Sequence, residues 1–148
     1  MYKNDFISRC LAFFKKSDNK IVNNNKEYVN LPKGKHLIID ARDVPSKALT
    51  DSKAVLKALV ESVEECGATV LTTTRHDLGL FSSPGYALGI ILDESHTTCH
   101  CYLNEKLLAI DVFTCGKTSP ELVFKHFIKK IDIGDNYSTL LIDRFTDN

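Results

Sequence analysis

The sequence predicts an α+β domain: a two-layer α/β sandwich, with a mainly antiparallel sheet and two helices on one face. Three observations predict it. Strand-like and helix-like runs follow the order β-α-β-β-β-β-α-β, three consecutive strand-like runs are joined by very short connections, and only two long stretches of the domain carry a helical apolar repeat. A chain of 148 residues suits one domain that buries roughly two-thirds of its unfolded surface.

Residues 1–32 read as an N-terminal extension and linker, with the domain proper spanning 33–148. Phe6, Cys10, Phe13 and Phe14 fall at helical spacing among Lys3, Arg9, Lys15 and Lys16, which predicts a short amphipathic helix docked on its own domain. Asp18 to Lys26 carries almost no apolar residue and reads as the linker, and Leu31-Pro32-Lys33-Gly34 turns the chain into the domain.

His36 to Ala41 is the first strand. Pro45 stands where a helix start tolerates it, and Ser46 to Glu65 places Leu49, Val55, Leu56, Leu59, Val60 and Val63 on one stripe. Gly67 ends that helix as a left-handed cap. Ala68 to Thr74 is rich in β-branched residues and reads as a strand, and Arg75 to Pro84 reads as a loop. Tyr86 to Leu92, Thr97 to Leu103 and Lys106 to Phe113 are strands, with a hairpin turn over Leu103-Asn104-Glu105-Lys106. Ser119 caps a last helix with Pro120 at its first position and Leu122, Val123, Phe124, Phe127 and Ile128 on its apolar side. Tyr137 to Ile142 is the final strand, and the chain frays from Arg144.

Charge and composition narrow the function. Nineteen basic residues against nineteen acidic ones leave no net charge, so a nucleic-acid partner is not expected. No apolar run approaches the roughly 20 residues that span a bilayer, and the N-terminus lacks the order of a signal peptide, so a cytoplasmic protein is expected. Five cysteines in such a chain suit buried thiols, ligands or catalytic groups better than a disulfide framework.

Chemistry concentrates between Asp93 and Gly116. Cys115 closes a strand beside Gly116, where a thiol can face a cleft as acid or nucleophile. Zinc ligation by His96, Cys99, His100 and Cys101 is disfavoured: strand alternation puts the two histidines on one face and the two cysteines on the other, so no metal is expected. Ser95-His96 lacks the flanking glycines of a hydrolase nucleophile elbow.

The remaining pattern is Glu94-Ser95-His96 at a strand junction, His100 five residues after Ser95, and Asp111-Val112-Phe113-Thr114-Cys115-Gly116 across the hairpin. It closely resembles the S-adenosylmethionine decarboxylases of the small prokaryotic type, which carry a Glu-Ser-His processing site, a histidine five residues after the serine, and an Asp-x-Phe-Thr-Cys-Gly segment. The likeness extends over Gly34-Lys35-His36-Leu37, Cys66-Gly67-Ala68-Thr69 and His76, and covers roughly residues 34–142.

The resemblance implies a proenzyme that cleaves itself between Glu94 and Ser95. Ser95 attacks the Glu94 carbonyl, the resulting ester eliminates, and hydrolysis leaves a covalent pyruvoyl group. Its carbonyl forms a Schiff base with the substrate amine and serves as electron sink when carbon dioxide leaves. It further implies His100 as processing base, Cys115 as proton donor, and the family's two-layer sandwich, dimerising with active sites near the interface. The product would feed aminopropyl transfer in polyamine (spermidine) synthesis. Where the family has Thr-Trp-Pro-Glu, whose glutamate holds the substrate ribose, this chain has Cys101-Tyr102-Leu103-Asn104. Asn104 and Phe81 are therefore the candidate substrate-binding residues, with Glu105 the alternative carboxylate. Ala87 stands where the family has a serine that assists processing. The altered 101–104 segment leaves open a smaller amino acid substrate, ornithine or arginine. Ala87 leaves open a non-cleaving relative that binds and regulates a decarboxylase partner.

Overall fold

Alternating apolar residues along successive strands give this chain one sheet with a covered face and an open face. The computed structural model describes residues 33–93 and 95–144. Expectations for residues 1–32, Glu94 and 145–148 lie outside the described residues. The elements are β1 (Gly34–Ala41), α1 (Ser46–Thr50), α2 (Ser52–Glu65), β2 (Val70–Leu78), β3 (Gly85–Leu92), β4 (His96–Tyr102), β5 (Leu107–Cys115), α3 (Pro120–Lys130) and β6 (Tyr137–Arg144). The strands form one six-stranded sheet in the order β2-β3-β4-β5-β1-β6, with every neighbouring pair antiparallel. The expected fold class is the observed one.

The covered face carries Leu37 and Ile39 from β1, Leu88 and Ile90 from β3, Cys99 and Cys101 from β4, and Leu108, Ile110 and Val112 from β5. Val55, Leu59 and Val63 of α2 and Val123 and Phe127 of α3 close over them. Each such fully buried aliphatic or aromatic side chain contributes about 1.5–3 kcal/mol, which is what holds the helices on this face. Ser119 caps α3 as expected, its Oγ accepting from Leu122 N at 3.2 Å, with Pro120 in the first turn. Gly67, at φ +84°, follows α2 in the left-handed conformation that a Cβ would oppose.

Three boundaries differ from expectation. The stretch 46–65 is two helices, because Asp51 leaves helical geometry and its Oδ1 caps the second by accepting from Ala54 N at 2.9 Å. Arg75 to Leu78 is strand rather than loop: these residues pair with Leu88 to Gly85, and the Arg75 guanidinium is held by Ser52 Oγ at 3.2 Å and Asp77 at 2.8 Å. The expected 103–106 turn is present, and Lys106 takes the left-handed conformation in it, at φ +54°. Arg144 belongs to β6, paired with Gly34.

Candidate active site

Side chains alternate, so whatever β4 and β5 do not bury beneath the helices they present on the open face. The register assembles that face row by row. Ile91, His96, Phe113, His36 and Ile142 lie across the sheet in one row; Gly89, Thr98, Asp111, Ile38 and Leu140 in the next; and His76, Ala87, His100, Ala109 and Asp40 in the third. Beyond the first row Gly34 stands between Cys115 on β5 and Arg144 on β6. The expected split of the β4 residues is observed: His96 and His100 take the open face, while Cys99 and Cys101 are buried on the other. Burial pushes the Cys99 thiol far up and the Cys101 thiol up to about 11, which keeps both neutral.

Ser95 stands at the β3–β4 hairpin, where its carbonyl accepts from Leu92 N at 2.9 Å. Its Oγ is buried and has no hydrogen-bond partner among the described residues. The last β4–β5 pair is His96↔Phe113. One further step of that register sets Ser95 beside Thr114 and next to Cys115, so the serine and the thiol share one end of the sheet. A Cβ built on Gly34 would lie 3.2 Å from Cys115 Sγ and 2.7 Å from the Phe113 ring. The lack of a side chain at residue 34 is what admits both groups.

His100 is not brought to Ser95. Five residues of extended chain separate them, about 16 Å at the usual rise per residue. Phe81 and Asn104 are farther still, at the opposite end of β3 and β4. There Ser83 Oγ donates to Glu105 Oε1 at 2.6 Å and Leu103 N to Pro84 O at 2.8 Å, which ties the 79–84 loop to the 103–106 turn. Phe81 is wholly exposed and Leu80 91% exposed, so neither packs on its own domain. Within one chain the candidate residues thus form two groups, Ser95 with Cys115 and His100 with Phe81 and Asn104.

The site also holds groups that the sequence reading gave no role. His36 Nε2 donates to Asp111 Oδ1 at 3.0 Å on the open face. The His36 and His96 rings pack around Phe113, with centroids 5.8 and 5.5 Å away, and the Arg144 guanidinium lies 4.4 Å above the same ring. The odd-even parity of His36, Asp111 and Phe113 was a usable signal, but it needs the β1–β5 register to become a contact.

A layered sheet with one apolar helix-covered face, a thiol and imidazoles on the open face, and a serine at the hairpin beside them defines a class of self-contained α/β layers bearing a polar reaction face. Comparison with known proteins resolves the class. The family described as S-adenosylmethionine decarboxylase matches residues 35–144. The S-adenosylmethionine decarboxylase proenzyme of Brevibacillus brevis is 30% identical over 110 residues, covering 74% of this chain and 80% of the relative. The proenzyme of the same name from Methanococcus maripaludis is 36% identical over 110 residues, covering 69% and 86%. The crystal structure of adenosylmethionine decarboxylase from Aquifex aeolicus superposes with a TM-score of 0.68 at 17% identity, covering 80% of this chain and 96% of that one, which shows the shared fold. The chain belongs to the S-adenosylmethionine decarboxylase family.

Proposed function

We propose that this chain is a pyruvoyl-dependent S-adenosylmethionine decarboxylase, a carboxy-lyase that supplies the aminopropyl donor for spermidine synthesis in the cytoplasm. It is made as a proenzyme whose 33–148 domain cleaves itself between Glu94 and Ser95. The observation that carries the reading is the Ser95 hydroxyl, buried and unpartnered at a hairpin one register step from the Cys115 segment. A buried hydroxyl with no partner is costly, and one poised for attack on the preceding carbonyl has a reason to be retained. The Ser95 site therefore fits the covalent group: the residue that must become it is free of competing bonds. The pyruvoyl group supplies a carbonyl that draws off the electrons left when carbon dioxide departs. Cys115 then delivers a proton to the substrate carbon that lost its carboxylate, the thiol being held in place by Gly34 and Phe113. Asn104, Glu105 and Phe81 offer the polar and aromatic contacts for the nucleoside part. Glu105 has the charge that Asn104 lacks, and Ser83 fixes it.

The unit of activity in this reading is a homodimer. Its support is the separation of His100, Phe81 and Asn104 from Ser95 in one chain, together with the open face itself. Ile91, Leu140 and Ile142 are exposed there at 48%, 58% and 39%, which is the kind of apolar patch that a partner covers. A two-fold pairing of open faces sets the Ser95 end of each chain against the His100 end of its partner.

Subunit mixing tests both parts. Ser95→Ala and His100→Ala chains should each stay whole. Co-expressed, the His100→Ala chain should split into residues 1–94 and 95–148, the smaller fragment with a blocked N-terminus and the mixture releasing carbon dioxide from S-adenosylmethionine. A wild-type chain that never splits overturns the enzyme reading. Splitting of wild type without complementation overturns only the shared site.

A further inference from the structure

Ser95 is not the only orphan. Thr97 Oγ1 is also buried without a hydrogen-bond partner among the described residues, and the whole residue is 0% exposed. Its register explains why. Thr97 pairs with Ile90 on β3 and Val112 on β5, so its lateral neighbours on the covered face are both aliphatic and offer no polar atom. By contrast Thr114, the other wholly covered threonine of this region, is satisfied: its Oγ1 donates to Thr118 O at 2.7 Å. Thr97 is thus a polar side chain set in an apolar surround, where valine has nearly the same shape and none of the desolvation cost.

The two orphan hydroxyls lie two residues apart, Ser95 immediately before β4 and Thr97 its second residue. Side chains at that spacing share a face, and their backbone positions are about 6.6 Å apart. One water with a hydrogen bond of about 2.8 Å to each oxygen bridges hydroxyls up to about 5.6 Å apart, so it links these two when their side chains lean about 1 Å toward each other, and buried waters settle where two or more polar groups lack protein partners.

We propose that Ser95 and Thr97 together hold one buried water, and that Thr97 is the positioning residue that fixes it as proton carrier for self-cleavage. The inference rests on the reading of Ser95 given above. In the step itself, the Ser95 Oγ–carbonyl bond to Glu94 forms and the Glu94–Ser95 C–N bond breaks. The hydroxyl proton passes to the water, a proton returns from the water to the freed Ser95 nitrogen, and nothing else is consumed. Thr97 makes no contact with substrate; its effect is confined to processing.

The test uses the full chain with three variants. Thr97→Val should keep its melting temperature to within a few degrees, since valine has nearly the same shape, yet cleave about 100-fold more slowly, the scale of a lost proton-transfer partner. Thr97→Ser should recover cleavage to within about threefold of wild type. Hydroxylamine, which cuts the ester once it has formed, should not rescue Thr97→Val, placing the defect at ester formation. Cleavage of Thr97→Val at the wild-type rate overturns the proposal, as does a Thr97→Ser chain as slow as the valine variant. A crystal structure of His100→Ala, which stays whole and keeps both hydroxyls, gives a readout free of turnover: an ordered water within hydrogen-bond distance of Ser95 Oγ and Thr97 Oγ1 is expected, and a dry site overturns the proposal. Should wild type never cleave, the enzyme reading fails by itself, and a crystal structure of the uncleaved wild-type chain still decides whether the two hydroxyls hold a water.

Discussion

Gly34→Ala asks how tightly the Cys115 end of the sheet is built. Residue 34 lies opposite Cys115 in the β1–β5 ladder, and an added Cβ would meet Phe113 Cε2 at 2.7 Å and Cys115 Sγ at 3.2 Å. Carbon atoms rest at about 3.5–4.0 Å, so the ring must retreat by most of an ångström. It has little room to do so, with His36 and His96 against it and the Arg144 guanidinium above it. Overpacking of this kind costs about 1–3 kcal/mol, against which alanine regains about 0.5–1 kcal/mol over glycine within a strand. The net expectation is a loss of about 1–2 kcal/mol in urea unfolding. Phe113→Leu in the same chain should relieve it, with a coupling of at least about 0.5 kcal/mol in the double-mutant cycle. The rate of Cys115 alkylation by iodoacetamide should change in Gly34→Ala and return toward wild type in the double variant. A Gly34→Ala chain as stable as wild type, with unaltered Cys115 reactivity, would refute the argument that the thiol is seated by the missing side chain.

Two further outcomes follow from buried and exposed polar groups elsewhere. Tyr86→Phe removes the donor that holds Ala48 O at 2.7 Å beneath α1. Burial pushes this phenol far above its ordinary range, so it is a neutral donor at all working pH, and its loss should cost about 1–2 kcal/mol in urea unfolding. Glu65 joins α2 to α3 through Lys130 Nζ at 2.7 Å and His126 Nδ1 at 2.5 Å. The lysine first, then the histidine, hold its carboxyl below the usual glutamate value of 4.5. A depressed carboxylate stabilises the fold above its unfolded pKa and loses that contribution as pH falls through the folded one. The stability gap between wild type and Glu65→Gln should therefore be full near neutral pH, narrow below about pH 4.5, and shrink in high salt because the group is exposed.

Sequence legibility divided along the range of the interactions. The order of elements, the Ser119 cap, the Gly67 stop and the opposed faces of His100 and Cys101 depend on spacings of one to four residues, and each could be read directly. Arg75 to Leu78 looked like loop because its polar side chains belong to a strand with little buried surface; its strand character comes from pairing with β3, which no local pattern reports. The break at Asp51 is the reverse case, where a local side-chain cap overrode a continuous apolar stripe. At the site, Ser95 and Cys115 were legible because they lie in short motifs. The His36–Asp111 hydrogen bond was not, since 75 residues separate its partners. The Gly34 notch likewise exists only once β1 is laid against β5. Thr97 was hidden for a different reason: threonine suits a strand anywhere, and only its burial between Ile90 and Val112 makes its hydroxyl conspicuous.

The sheet order bears on what a break after Glu94 does to the molecule. Residues before the break supply β1, β2 and β3, and those after it supply β4, β5 and β6. Were the sheet laid out in chain order, the two sets would meet along a single ladder and could part there. The order β2-β3-β4-β5-β1-β6 interleaves them instead: β1 lies between β5 and β6, and β3 lies against β4. Three ladders therefore cross between the sets, β3 with β4, β5 with β1 and β1 with β6. The α2 and α3 helices, one from each set, share the covered core and are further tied by Glu65 to His126 and Lys130. Releasing either fragment means withdrawing β1 from between two partners and exposing Leu37 and Ile39, which are buried. A hairpin turn is a position where the chain can be opened without loosening either flanking strand. That is the mechanical condition for a serine in the middle of a domain to become a cofactor while the domain stays folded.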